Sequence, residues 1–422
     1  VVIPFPSKYR EHEIQALIEK ADIDLLVAAE RFTDWVKKYE EQFPIVYSVD
    51  EEEGYGFRHL ELPKGKRGGS QGKLEDEMIL MFTSGTTSVS KGVVMKNYNV
   101  IHATMVYHRL CEITPEDKTI STSSDLSCNG VDCIVRILFV YSSGTVYLYR
   151  RYEAHRIWNV LKRISITIHA WFANSFWTFD GSERRCIRHF PSLRMMLCGS
   201  SYMPVEKLKQ LHKWLPTTEI RTVFGMTETA SPGTLFPTDT ALSIYPSSSG
   251  RPVPGLELKI LDDDGHEVET GTVGTVYIRG ANVVEYYYKM ESPLFTEDGW
   301  LDTGDMGYQN EDAFVFFVDR KKDMVNRGGE KIWCTDVEDE LIAFKGVKDA
   351  AVVGIPNEKY GEVAAAVVVL EKGAQLTEEQ IKEEMLKEMA RFKVPERILF
   401  LDAIPKTPGL KTDKKYIRTL FQ

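Results

Sequence analysis

Short apolar runs separated by longer amphipathic stretches recur along the first half of the chain, and this rhythm constrains the fold more than any other feature. Runs at 78–82, 145–149, 164–169, 193–197 and 220–224 read as short buried strands, with helical stretches such as 97–111 and 205–214 between them. Parallel neighbours in a sheet need crossovers of that kind, so the alternation predicts an α/β fold of parallel sheets flanked by helices. From about 250 the texture becomes β-rich. Strands are expected at 257–261, 273–279 and 314–318, with Asp262-Asp-Asp-Gly265 as the turn between the first two. After Arg320 a smaller α+β unit follows, with a helix near 335–344, paired strands at 350–355 and 364–370, and a charged helix at 378–389.

The run at 78–82 empties into Thr83-Ser-Gly-Thr-Thr-Ser-Val-Ser-Lys91-Gly92 before a second apolar run begins. Such a loop suits phosphate, because backbone N–H groups and hydroxyls donate while one ammonium neutralises. Ser84, Gly85, Thr86, Thr87 and Lys91 are the candidates for that contact; the bland alternative is a plain solvated turn. It is not a Walker loop, which carries glycine directly before its lysine and Ser/Thr directly after. Here Ser90 precedes Lys91 and Gly92 follows it. The chain is expected to bind a nucleotide in another way.

Composition narrows the class. With 422 residues, 43% of them hydrophobic, the chain can bury more than one core, and two or three structural units are expected. A formal charge of −10 and a pI near 5.6 argue against a nucleic-acid surface, though not against a local basic pocket. Cys111, Cys128, Cys133, Cys186, Cys198 and Cys334 show no CxxC spacing and read as reduced, buried residues of a soluble cytoplasmic enzyme. No apolar run approaches the roughly 20 residues of a membrane span. The opening Val-Val-Ile-Pro-Phe-Pro is too short for a signal peptide.

Further motifs follow the Lys91 loop. Phe224-Gly-Met-Thr-Glu228 succeeds a β-like run, and Leu301-Asp-Thr-Gly-Asp305 succeeds a Gly-Trp turn. Asp319-Arg-Lys-Lys-Asp323, Arg327-Gly-Gly-Glu330 and Pro405-Lys-Thr-Pro-Gly-Leu-Lys411 complete the series. In this order they resemble the adenylate-forming (AMP-binding) superfamily, which holds acyl-CoA synthetases, peptide-synthetase adenylation domains and firefly luciferase. The resemblance covers essentially the whole chain. It implies a large N-terminal domain over 1–319 with its β-rich part at about 250–319. A small mobile lid domain over 320–422 would follow, with a hinge near 320–322 at Lys322. In the family, a phrase like Val1-Val-Ile-Pro-Phe5 is an interior strand with further chain before it, followed by a helix at 10–20 and a strand at 25–29. The N-terminus is therefore expected to be shortened.

The resemblance also implies roles, each beside a plainer alternative. Glu228 would hold Mg²⁺, a hard cation that takes carboxylate and phosphate oxygens, with Thr227 on the α-phosphate and Phe224 and Gly225 against adenine. The alternative is a capping Thr-Glu pair beside a core phenylalanine. Gly199, Ser200 and Ser201 resemble the adenine-side turn, although small residues after a strand are ordinary turn chemistry. Asp305 would accept the ribose hydroxyls, as an acceptor-only carboxylate can, against an Asx-turn. Arg320 would be the second ribose or phosphate contact, against a surface charge run over 320–323; Lys321 reads as surface. Lys411 would bridge the attacking carboxylate and the α-phosphate, stiffened in its approach by Pro405 and Pro408, while Lys414 and Lys415 read as solvated. Gly328 and Gly329 would line the thiol tunnel, against a common Gly-Gly turn.

Some positions depart from the family pattern. Ser88 stands for the usual Gly, Ser90 for Pro, Asp319 for the commoner Gly, and Gly409-Leu410 for Ser-Gly. Segments 123–131, 171–177 and 226–232 should border the acid pocket, where Ser127 replaces a frequent His. Trp171, Phe172, Phe176 and Trp177 could line it or be core. With no amino-acid-binding Asp in evidence, a fatty or aryl acid is expected. The resulting expectation is an ATP-dependent acid–CoA ligase using ATP, Mg²⁺ and coenzyme A. Two alternatives stay open: transfer to a carrier-protein phosphopantetheine, and a degenerate relative that binds without turnover. An oligomer also stays open. Lys91, Glu228, Asp305, Arg320 and Lys411, all present, favour the enzyme.

Overall fold

In the computed structural model, the parallel core is the three strands Ile168–Phe172, Met195–Gly199 and Glu219–Phe224, paired side by side. Two short strands, Thr234–Leu235 and Arg251–Pro252, extend this sheet in antiparallel fashion. The structure describes residues 1–5, 11–29, 32–51, 54–56, 72–83, 91–121, 139, 141–148, 160–161, 163–172, 190–199, 202–407 and 411–422. Inner strands buried along their length need cover on both faces. Helix Asn97–Leu110 supplies cover through Val100, Ala103, Val106 and Tyr107, which share a core with Leu197 and Val223. Helix Val205–Trp214 packs Leu208 and Leu211 against Met196 and Ile220. Alternate residues of one sheet thus feed two cores, as the period of two demands.

The expected register slips in two places. The strand expected at 164–169 begins at Ile168, and the one at 193–197 begins at Met195. Ser165 adopts φ 52° where a helical turn closes, with the Ile164 N–H on the Val160 carbonyl. Thr167 then donates to Asp117 at 2.6 Å, so side-chain bonding occupies the stretch that alternation had marked as strand. The lysine-bearing hairpin also differs from a parallel pattern: Glu77–Thr83 and Lys91–Lys96 pair antiparallel. Val2 makes a single parallel bridge to Ile79 rather than an interior strand, and Val1 and Val2 are exposed. Tyr149 lies outside the described residues.

The β-rich region is a four-stranded antiparallel sheet of Leu256–Leu261, Gly274–Gly280, Leu301–Gln309 and Val315–Arg320. The third strand was not foreseen, because Asp302, Gly304 and Asp305 lower its β character. Beyond it, the hairpin Val347–Asn357/Gly361–Leu370 splits its apolar residues between two faces. Ala350, Val352, Ala364, Ala366 and Val368 meet helices Cys334–Ala343 and Glu378–Glu388 on one side. Ala351, Val353, Ala365 and Val367 meet Ile417 and Phe421 on the other. No helix among the described residues is long and apolar enough to cross a membrane. Cys111, Cys198 and Cys334 are free and buried; Cys128, Cys133 and Cys186 lie outside the described residues.

Polar contacts join the two parts. Tyr202 donates to Asp339 at 2.6 Å, and Lys207 pairs with Asp349 at 2.6 Å. Lys414 is not the solvated lysine expected. Its ammonium lies 3.5 Å from Glu338 and 3.9 Å from Asp319, with only 17% of its side chain exposed. Asp319 in turn accepts from the N–H groups of Arg320 at 2.7 Å and Cys334 at 2.7 Å. Desolvation alone would lower the Lys414 pKa, but Glu338, Cys334 and Asp319 outweigh it and push it up.

Lys414→Met is expected to cost about 3 kcal/mol in urea denaturation, because it strands two carboxylates without their cation. Lys415→Met should change stability by less than about 0.5 kcal/mol. Burial pushes the Asp339 carboxyl up to about 6, against the Tyr202 hydrogen bond that opposes the shift. Its folded value lies above its unfolded value of about 4, so its stabilising contribution is full below that pH and lost as pH rises through 6. Asp339→Asn should therefore raise the melting temperature at pH 8, with the gain shrinking at pH 5.

Candidate active site

The site assembles where strand ends meet connecting turns. Strand Glu219–Phe224 leads into a single 3-10 turn, Thr227–Thr229. That turn is capped by Thr229, whose hydroxyl donates to the Met226 carbonyl at 2.9 Å, and not by a Thr227–Glu228 pair. Glu228 is therefore released from capping. It is buried, and its Oε1 accepts from the Tyr287 hydroxyl at 2.8 Å. Asn282 braces the same turn by donating to the carbonyls of Thr229 at 2.9 Å and Pro232 at 2.6 Å. Gly225 is required by close approach, since a Cβ there would lie 2.8 Å from Ser231 Oγ. At Gly199 a Cβ would lie 2.9 Å from the Val223 carbonyl of the neighbouring strand.

Phe224 stacks one face on Phe317, with centroids 3.8 Å apart and planes at 23°, and keeps partial exposure. Thr227 is half-buried beside it. Lys91 begins its strand with its ammonium 4.9 Å from the Tyr287 ring centroid.

Asp305 sits within strand Leu301–Gln309, opposite Arg320 in the register. The Asx-type bond in this motif belongs to Asp302, which accepts from the Gly304 N–H at 2.8 Å. Asp305 Oδ1 instead pairs with Arg320 Nε at 3.0 Å, while its Oδ2 is buried with no hydrogen-bond partner among the described residues. A buried acceptor left open costs on the order of 1–3 kcal/mol unless a ligand satisfies it. Two adjacent hydroxyls of a ribose suit that need. Burial raises the Asp305 pKa; Arg320 and Lys411 oppose the rise and Asp319 adds to it.

The Lys411 carbonyl accepts from the Thr407 N–H at 2.8 Å, and Lys406 bridges Thr412 beside it. Lys411 keeps solvent-facing surface, yet desolvation by the surrounding walls, the largest cause, lowers its pKa. Arg320 and Lys322 lower it further, while Asp305 and Glu228 oppose. Lys322 is lowered likewise, by burial first and then by Arg320. Glu228, Asp305, Arg320, Lys322 and Lys411 thus share one electrostatic neighbourhood, although they are up to 183 residues apart in sequence. Lys321 faces away, paired with Asp263 at 3.0 Å.

The remaining candidates are not brought into this group. Gly328 and Gly329, at φ 60° and 99°, form the turn between Val325–Arg327 and Glu330–Ile332, with the Gly328 N–H on the Tyr360 carbonyl at 2.8 Å. Ser84, Gly85, Thr86, Thr87, Ser88, Ser90, Ser200, Ser201, Gly409 and Leu410 lie outside the described residues. So do segment 123–131 and the side chains of Trp171, Phe172, Phe176 and Trp177. Tyr287 and Asn282 were missed by sequence reasoning. The three consecutive tyrosines Tyr286, Tyr287 and Tyr288 were the available signal, and nothing local distinguishes the buried one.

A mixed α/β enzyme in which buried carboxylates and several cations from distant segments gather in one neighbourhood is the class that this fold and site define. The AMP-binding enzyme family model matches residues 1–288, and the AMP-binding enzyme C-terminal domain model matches residues 336–411. The chain belongs to the AMP-binding enzyme family, within the adenylate-forming superfamily. It is 31% identical over 355 residues to 2-succinylbenzoate–CoA ligase of Enterococcus faecalis, covering 82% of this chain and 70% of that one. It is 29% identical over 347 residues to indoleacetate–CoA ligase of Aromatoleum aromaticum, covering 81% and 67%. ATP-bound MatB from Rhodopseudomonas palustris superposes with a TM-score of 0.85 at 23% identity, covering 100% of this chain and 84% of that one. The o-succinylbenzoate coenzyme A synthetase MenE of Bacillus subtilis, in complex with ATP and magnesium, superposes at 0.80 with 23% identity, covering 98% and 83%.

Asp305→Asn keeps the shape but weakens the acceptor. It is expected to reduce ATP and AMP affinity roughly 10- to 100-fold by calorimetry, the scale of a charge-assisted hydrogen bond. Unchanged affinity for both nucleotides would remove Asp305 from the nucleotide contact.

Proposed function

We propose that this chain is an ATP-dependent acid–CoA ligase that joins a carboxylic acid to the thiol of coenzyme A by way of an acyl-adenylate. The observation that carries the reading is the convergence of Glu228, Asp305, Arg320 and Lys411 in one field, with the Asp305 Oδ2 acceptor open. In the first half-reaction a carboxylate oxygen attacks the α-phosphorus of ATP. The bond from that phosphorus to the bridging oxygen breaks, and pyrophosphate leaves with the electron pair. Asp305 and Arg320 hold the ribose. Lys411 brings its positive charge to the point where the attacking carboxylate and the α-phosphate repel one another. Glu228 is the residue that would hold Mg²⁺, which when bound neutralises phosphate oxygens. Phe224 offers its uncovered side to adenine, and Lys91 with the loop before it takes the outer phosphates.

In the second half-reaction the CoA thiol releases its proton to solvent, its sulfur attacks the acyl carbon, and the bond to the AMP oxygen breaks as AMP leaves with the electron pair. Division into a large domain over 1–319 and a lid over 320–422, with Lys322 as hinge and Gly328-Gly329 facing the thiol chain, accounts for both steps. The turn at 321–323 directly after strand Val315–Arg320 and the separate cores beyond it support that division. Of the expected fatty and aryl acids, the aryl class is the one represented by name among the relatives, in indoleacetate and 2-succinylbenzoate, beside the small non-aromatic sulfoacetate. Nothing among them favours a fatty acid.

Carboxylate-dependent ATP–pyrophosphate exchange across aromatic, short and long acids tests the reading. Exchange is expected with aromatic acids, and CoA should then convert the same acids to thioesters. Lys411→Ala should lower exchange by roughly 10²–10³-fold, as removal of one preorganised cationic donor does. Absence of exchange with every acid, while ATP still binds, would refute the ligase reading.

A further inference from the structure

Tyr287 touches both of the charged groups that the proposed reaction directs at the phosphates. Its hydroxyl donates to Glu228 Oε1 at 2.8 Å, and the Lys91 ammonium lies 4.9 Å from its ring centroid. Only 2% of the residue is exposed. The ring packs edge-on to Phe295 at 5.1 Å, and the backbone bridges Val93, two residues beyond Lys91 on the same strand. Three residues earlier, the Val284 N–H donates to the Glu228 carbonyl at 2.8 Å. The segment from 284 to 287 therefore spans the strand of the lysine and the turn of the glutamate.

A phenol is chemically suited to this place. A phenol has a single proton to give, and here it is given to Glu228 Oε1 at 2.8 Å. It occupies one carboxylate oxygen and leaves the lone pairs of the other for a cation. A lysine or arginine in its place would neutralise the carboxylate and compete with that cation. Toward Lys91 the ring offers a cation–π seat, which steadies the ammonium without neutralising its charge and leaves N–H donors on its outer side for phosphate. Phenylalanine would fill the same core position, so packing alone gives no reason for the hydroxyl.

We propose that Tyr287 is a positioning residue of the metal–nucleotide site: its hydroxyl holds Glu228 in the orientation that binds the cation, while its ring seats Lys91. The inference rests on the ligase reading above. Partners that orient metal ligands typically contribute 10- to 100-fold in affinity.

The test follows Mn²⁺ binding by electron paramagnetic resonance in the presence of ATP, and ATP binding in EDTA by calorimetry. It compares the wild type with Tyr287→Phe, Glu228→Gln and the double variant. Tyr287→Phe removes one oxygen from a packed ring, and melting curves check that the fold is kept. It is expected to weaken Mn²⁺ binding roughly 10-fold, to leave metal-free ATP binding unchanged, and to add nothing in the Glu228→Gln background. Mn²⁺ binding that depends on Glu228 but ignores the Tyr287 hydroxyl overturns this inference alone. Equal weakening by Tyr287→Phe with and without Glu228 also overturns it, because that pattern marks a general packing defect. A wild-type chain that binds ATP without recruiting Mn²⁺ overturns the inference together with the metal-dependent reading beneath it.

Discussion

The end of strand Val315–Arg320 is the point on which the rest of the site depends. Antiparallel register places Arg320 opposite Asp305 and Asp319 opposite Met306. Neighbouring residues on a strand face opposite sides, so the two charged side chains diverge. Arg320 turns to Asp305 at 3.0 Å. Asp319 turns to the small unit, where it accepts from Cys334 and faces Lys414. Lys414 opens the last helix, Lys414–Thr419, three residues after Lys411. One strand end thus ties the Asp305–Arg320 pair to the segment that carries Lys411.

Electrostatics gives that geometry its character. Two carboxylates and three cations from separate segments crowd into one partly desolvated region, where each influences the ionisation of the others. Low local dielectric makes such charges act strongly on a phosphate and makes any open acceptor costly. Asp305 shows both consequences, with one oxygen held by Arg320 and the other without a hydrogen-bond partner among the described residues. Glu228 follows the same logic with a neutral phenol as its partner. Both carboxylates are held on one side only, an arrangement that serves binding better than stability.

Much of the architecture was legible in advance because it rests on local pattern. Helix Val205–Trp214 falls where periodicity placed it, and the Asn97–Leu110 and Cys334–Ala343 helices lie within a residue of their expected bounds. Slips occurred where side-chain bonding overrode periodicity, as at Thr167, or where polar function diluted a strand, as at Asp305. Lys414 looked like its neighbour Lys415 because charge and spacing say nothing about burial. Its partners Glu338 and Asp319 lie 76 and 95 residues away in sequence.

By itself, then, the sequence determined the alternation that makes parallel sheets, the β-rich segment, the small α+β unit and the ordered motifs of an adenylate-forming enzyme. These are properties of short windows: hydrophobic period, turn chemistry, and residue types set at fixed spacing. Only the tertiary structure decided which carboxylate oxygen is open, that Tyr287 rather than Tyr286 or Tyr288 meets Glu228, and that Lys414 is an internal cation. Those outcomes depend on which distant segments share a desolvated space, and desolvation is a property of the packed chain that no local window contains.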